Sequence, residues 1–276
     1  MLFTKDFWKD LYHHFIDDDV VGMSAQLSYF FLLSLFPFLI FLLTLIGFMP
    51  IPESSVFNII YRYFPSDSMD LIVDNINQLM ANRNGGLLSF GLILTIWSAS
   101  NGINALVRVF NRAYETEEDR SFIVTRLISI VMTIAMILVL AVALALPVFG
   151  REIGDFIFTI LGYSESFIAF WNVFRWILSF VIIIFVLTIL YILAPNKEIK
   201  LRHAIPGAFV ATTGWQLTSL GFSFYVENLG NFSYTYGSLG GMIVLLIWLF
   251  LSGMMLIIGG EVNAILERHK ERLLFK

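Results

Sequence analysis

The sequence predicts an all-α integral membrane protein: a bundle of six transmembrane helices, short amphipathic helices capping the extracytoplasmic face, and cytoplasmic N and C termini. Two observations carry this prediction. First, six long stretches contain no Asp, Glu, Lys or Arg: 20–52, 84–107, 127–150, 176–196, 203–226 and 228–260. Each reaches the roughly 20 residues that an α-helix needs to cross the hydrocarbon core of a bilayer. Second, the basic residues between those stretches alternate in number. Lys5 and Lys9, then Arg108, Arg112, Arg120 and Arg126, then Lys197, Lys200 and Arg202, then Arg268, Lys270, Arg272 and Lys276 place 13 of 17 on one side. Only Arg62, Arg83, Arg151 and Arg175 fall on the other. Basic loops stay in the cytoplasm, so this alternation orients the bundle.

Composition agrees. Hydrophobic residues make up 58% of the chain and charged ones 14%, far from the balance of a soluble domain. The net charge of −4 argues against a basic surface for nucleic acid. No basic start followed by an apolar run marks a cleavable signal peptide in residues 1–19. There is no cysteine, hence no disulfide and no thiolate ligand. No linker divides the chain, which reads as one six-span domain over 1–276.

Phe3, Phe7, Trp8, Leu11 and Phe15 recur at helical spacing among Lys5, Lys9 and Asp10, so 1–19 contains an amphipathic helix on the cytoplasmic interface. Asp17, Asp18 and Asp19 then stand where a cap and first-turn carboxylates favour the dipole of span 1. That span is long for an upright helix, and Pro37 is its expected kink. In 53–85, Val56, Ile59, Ile60 and Tyr63 form one helical stripe, and Met69, Ile72, Val73, Ile76, Leu79 and Met80 form a second. Together they make an extracytoplasmic helical cap. The third connection repeats the theme with Ile153, Phe156, Ile157, Ile160 and Leu161. Ser164 is positioned to cap the helix that begins near Phe167. In span 5, Ala204, Ala208 and Thr212 recur every four residues, as do Gly207 and Ala211; Gly237 and Gly241 do so in span 6. Small residues at this spacing let helix backbones approach, within one chain or between two copies. Residues 265–276 form a cytoplasmic tail.

Span 2 carries the polar residues. If its helix continues to the residue before Thr116, then Asn101, Asn104, Arg108, Asn111, Arg112 and Glu115 share one face, with Ser98 at its start. Amides turned towards lipid go unpaired at a cost of a few kcal/mol, so this face must look into the bundle or onto water. Span 6 ends at the same depth with Glu261 and Asn263, and the expected contact is Glu261 with Arg108 or Arg112. Ionisable groups inside spans mark substrate or ion pathways as well as structural ion pairs. On the outer side Arg175 is either snorkelling or paired with Glu227. Gln26, Gln216 and Trp215 are further polar candidates. Residues 225–241 combine aromatics, amides and glycines without a cation; interface anchoring accounts for Tyr225, Tyr234 and Tyr236.

Four segments, SAQLSYFFLLSLFPFL (24–39), WSASNGINALVRVFNRAYE (97–115), HAIPGAFVATTGWQ (203–216) and YTYGSLGGMIVLLIWLFLSGMMLIIGGEVNA (234–264), resemble the YihY/BrkB family of bacterial inner-membrane proteins. The resemblance covers nearly the whole chain and implies six helices with cytoplasmic ends. Members have carried a ribonuclease name and a virulence label, and a role in moving envelope components has been suggested; the resemblance supplies no catalytic residues. Hydrolysing RNA needs a metal centre or paired acid and base groups. The four histidines, His13, His14, His203 and His269, have no metal-ligand spacing, and no P-loop or protease motif is present. The expectation is therefore no enzyme and no cofactor. The sequence points to a transporter or translocase of an amphipathic, lipid-like or other envelope substrate in the cytoplasmic membrane, with membrane lipids as partners and no nucleic acid. The alternative is a membrane scaffold for envelope assembly.

Overall fold

A computed structural model describes residues 5–48, 85–137, 165–228 and 239–274. Among these residues the regular elements are helices: α1 Lys5–Asp17, α2 Val20–Phe48, α3 Gly85–Ala113, α4 Phe122–Ile137, α5 Glu165–Leu193, α6 Leu201–Asn228 and α7 Gly240–Leu274. Nearly all of the expected cap at 53–85, the stripe at 153–161, the Ser164 cap and the middle of the connection 225–241 lie outside the described residues.

Among the described residues, four segments are long and apolar enough to cross a bilayer: Val20–Phe41, Gly85–Ala113, Val173–Leu193 and Gly240–Lys270. Their outward faces are apolar. On α5, Phe170, Val173, Trp176, Ile177, Val181 and Phe185 are all more than half exposed. Water leaves no such stripe uncovered on a stable protein, whereas lipid solvates it while each helix satisfies its own backbone. The described residues thus show four of the six expected spans. Helix α6 has the length but is diluted by Ala, Gly, Thr and Ser, and α4 is described only as far as Ile137.

The helix ends follow local chemistry. Asp18 and Asp19 turn the chain between α1 and α2. Asp19 takes a left-handed conformation (φ 48°), and its Oδ1 accepts the Gly22 N–H at 3.2 Å, an N-cap on α2. Helix α3 closes in a Schellman turn: the Thr116 N–H reaches Asn111 O at 2.8 Å, the Glu115 N–H reaches Arg112 O at 3.0 Å, and Glu115 has φ 52°.

The chain divides into two compact units, Met1–Tyr29 with Ser100–Lys276, and Phe30–Ala99. In the second, α2 and α3 meet where Gly91 faces the backbone of Phe41; a Cβ at Gly91 would stand 3.0 Å from Phe41 N. In the first, α7 packs along α6, α5 packs on α6, and α1 packs on α7. Phe7 of α1 is fully buried against Val262 and Ile265. Tyr191 of α5 donates its hydroxyl to Leu256 O of α7 at 2.8 Å and meets the ring of Phe110 edge-on. All the polar clusters below belong to this unit.

Candidate functional site

The polar face of α3 forms from Asn101 to Arg112, but the helix ends at Ala113, so Glu115 falls outside it in the closing turn, and the residues of the face go to different neighbours. Asn101 Oδ1 accepts from Arg126 Nη1 of α4 at 2.9 Å, and Asn104 Oδ1 accepts from the Ser129 hydroxyl. Arg108 is exposed and reaches Gln26 Oε1 of α2 at 3.4 Å. Asn111 is buried; it donates to Glu118 at 2.7 Å and accepts the Asn196 N–H at 2.6 Å. Glu118 is held below the usual carboxylate range by hydrogen bonds from Arg120, against a smaller opposing effect of burial. Arg112 Nε pairs with Asp18 Oδ1 at 2.9 Å, and its Nη2 donates to Asp17 O.

Glu261 has the expected depth but not the expected partner. Instead of Arg108 or Arg112, it meets His14 of α1: His14 Nδ1 lies 3.0 Å from Glu261 Oε2 and 3.2 Å from Asp18 Oδ2. Arg112 is one carboxylate removed, on the far oxygen of Asp18. Arg268 of α7 completes the group, with Nη1 3.2 Å from His14 Nε2 and Nη2 bonded to Ala113 O and Glu115 Oε1, both at 3.1 Å. The hydrogen bond to Asp18, then that to Glu261, outweighs burial and raises the His14 pKa from 6.5 to about 9. His14 is therefore a cation at neutral pH. Its Nε2 then carries a hydrogen, and Arg268 is held by Ala113 O and Glu115 rather than by the imidazole.

Glu261 is fully buried, yet its Oε1 has no hydrogen-bond partner. The nearby Tyr114 hydroxyl and Glu267 Oε2 are also buried and unpaired. Burial, and then the Glu267 and Glu261 carboxylates, push the Tyr114 phenol well above its ordinary range. His14, Asp18 and Glu261 offer one ligand atom each within 4.8 Å of one another. An imidazole and two carboxylates are acceptable to a divalent ion. The charge count favours an ion-pair hub instead: His14, Arg112 and Arg268 already balance Asp18, Glu261 and Glu115. A divalent ion in place of the His14 proton would leave one excess positive charge where burial makes it costly.

Asn263, also fully buried, has a different task. Its Oδ1 accepts the Gly207 N–H of α6 at 2.7 Å, and its Nδ2 donates to Ala204 O at 3.0 Å. Pro206, the residue before Gly207, has no N–H to give, so Arg202 O lacks its ladder donor close to this contact. Further along the same helix pair, Trp215 donates to Ser252 at 3.0 Å and Trp248 to Ser219 at 3.1 Å. The outer candidates stay apart. Glu227 accepts from Ser223, one turn earlier on its own helix, at 2.8 Å; Arg175 Nε and Nη1 are buried without a partner. Gln216 is half-buried on α6. The residues missed by sequence reasoning are His14, Asp18 and Arg268. The His14–Asp18 spacing of four, just ahead of a span, was their one signal.

The family described as virulence factor BrkB matches residues 11–274, nearly all of the chain and every helix of this hub. The chain belongs to the BrkB family. Its similarity extends to YfkH of Bacillus subtilis strain 168, 50% identical over 265 residues and 96% of both chains; that protein's name calls it ribonuclease-like. A UPF0761 membrane protein of Alteromonas mediterranea is 25% identical, covering 92% of this chain and 86% of its own. Another, from Vibrio parahaemolyticus, is 27% identical, covering 94% and 82%. No solved structure matches. BrkB membership and the relatives' names agree with the apolar helices that this is a membrane protein.

Proposed function

We propose that this BrkB-family protein is a transporter or translocase of an amphipathic, lipid-like or other envelope substrate in the bacterial cytoplasmic membrane, with both termini cytoplasmic, and that it is not an enzyme. The observation that carries the reading is Glu261. A carboxylate in a membrane-length helix is costly and marks a pathway by default. A helix lock satisfies both oxygens; here Oε2 is held and Oε1 is left over. Such a group is able to exchange partners. Arg108, exposed beside Gln26, and Arg112 offer positive charge to an anionic head group as it passes, with Asn111 and the hub behind them. The 13-to-4 division of basic residues supports the orientation.

The scaffold reading has one observation of its own, the close α6–α7 crossing at Gly207, Gly259 and Asn263, whose rigidity suits an anchor. The test is reconstitution of the purified chain in liposomes, with fluorescent anionic and zwitterionic phospholipids and leaflet-selective bleaching. Transfer by the wild type, lost in Glu261→Gln and Arg108→Gln proteins of unchanged thermal stability, supports translocation. No transfer of any lipid or envelope precursor by the wild type favours the scaffold.

A further inference from the structure

The first helix has three faces, each with a different character. One faces the protein: Phe7 is buried on α7, Asp10 Oδ2 lies 2.7 Å from His269 Nε2, and His14 holds Glu261. A second is polar and exposed, with Asp6, His13 and Asp17. The third is apolar and also exposed. Trp8, Tyr12 and Ile16 follow at steps of four, 60%, 66% and 58% exposed, with Lys5 and Lys9 along the same edge. A helix that meets only protein and water needs two faces.

We infer that the Trp8–Tyr12–Ile16 face of α1 binds the headgroup layer of an anionic leaflet, with Lys5 and Lys9 on its phosphates, while the opposite face keeps hold of Glu261. Chain connectivity supplies the location. Only Asp18 and Asp19 separate α1 from α2, whose apolar segment begins at Val20. Two residues span under about 10 Å, so α1 cannot leave the membrane boundary. Indole and phenol rings prefer that layer, apolar body inward and polar tip outward. Lysines beside them add roughly 1 kcal/mol each near an anionic surface. The acidic side chains of this stretch do not oppose the contact: Asp6 and Asp17 lie on the water face, Asp10 is hydrogen-bonded to His269, Asp18 is ion-paired with Arg112, and Asp19 caps α2. One short helix thus joins the lipid surface to the hub. The inference is independent of what, if anything, the protein moves.

Because the chain lacks cysteine, single substitutions report individual positions. The full chain carrying Tyr12→Cys, Ile16→Cys, His13→Cys or Asp6→Cys is labelled with an environment-sensitive dye. It is then placed in nanodiscs of phosphatidylcholine, with or without phosphatidylglycerol. Labels at 12 and 16 are expected to be quenched by headgroup-level nitroxide lipid and shielded from aqueous iodide, and labels at 6 and 13 the reverse. Phosphatidylglycerol should strengthen the lipid quenching at 12 and 16, and Lys5→Glu with Lys9→Glu should remove that gain. Equal iodide quenching at all four positions overturns the proposal. Shielding at 12 and 16 without nitroxide quenching overturns it too and assigns the face to a protein. Indifference to phosphatidylglycerol overturns the anionic preference.

Discussion

Asn263 of α7 grips the α6 backbone at Gly207, taking the glycine's N–H and giving a hydrogen to the carbonyl of Ala204 one turn earlier. A side-chain amide matches a peptide unit in shape and polarity, so it adds one donor and one acceptor to the α6 backbone next to Pro206. Asn263→Leu fills similar volume but gives up both hydrogen bonds across a buried crossing. Each is worth about 0.5–1.5 kcal/mol, so the variant should unfold at lower temperature in mild detergent. Asn263→Gln, with its amide displaced, should recover only part of the loss.

The same crossing predicts strict size limits. A Cβ on Gly207 would run into Gly259 O and the Asn263 amide, and one on Gly259 into the Tyr191 hydroxyl. Gly207→Ala and Gly259→Ala should each destabilise by about 1–3 kcal/mol, the usual cost of overpacking. Gly221→Ala on α6, where nothing lies within 4 Å, should unfold like the wild type.

His14 makes stability depend on pH. Folding raises its pKa from 6.5 to about 9, so its contribution is complete below 6.5 and disappears as pH rises through 9. Melting curves between these limits should show the wild type losing stability steadily. His14→Gln should be less stable than the wild type at the acid end and nearly flat across the same window. A wild type that gains stability over this range would contradict the assigned cation.

The pairing of α3 with α4 is testable by a double-mutant cycle. Arg126 Nη1 donates to Asn101 Oδ1, and Arg126 has further interactions of its own. Asn101→Leu and Arg126→Leu should each destabilise, with a coupling of about 0.5–2 kcal/mol between them, as expected of side chains that touch. Asn101→Leu combined with His14→Gln should instead be additive, since nothing joins those sites directly.

These relationships show what a sequence can and cannot specify. The absence of charge set the limits of α2, α3, α5 and α6 to within a few residues on one or both sides, because lipid excludes unpaired charge. Helical spacing put Asn101, Asn104, Arg108, Asn111 and Arg112 on one face, as found. Spacing does not say what stands opposite, and that face turns out to meet α4, α2 and the α1–α2 turn in succession. Glu261 shows the same limit. Its depth was legible, but matching opposite signs favoured the arginines, because histidine counts as neutral until its neighbours are known. Two carboxylates around Nδ1 change that, and one of them, Asp18, looked like a simple cap. Asn263 looked like part of a pathway; only the proximity of Pro206 and Gly207 reveals a packing role.

The contact between His14 and Glu261 spans 247 positions of chain. A ribosome adding about 5–20 residues per second makes α1 many seconds before α7. During that interval Phe7, Asp10 and His14 have no α7 to receive them, while α2 and α3 are already available for insertion. Docking of α1 is consequently a late event in biogenesis, and Glu261 finds its counter-charge only then. A chain stalled before α7 would expose an unclaimed histidine and phenylalanine beside the bilayer, a signature that quality-control proteases could read.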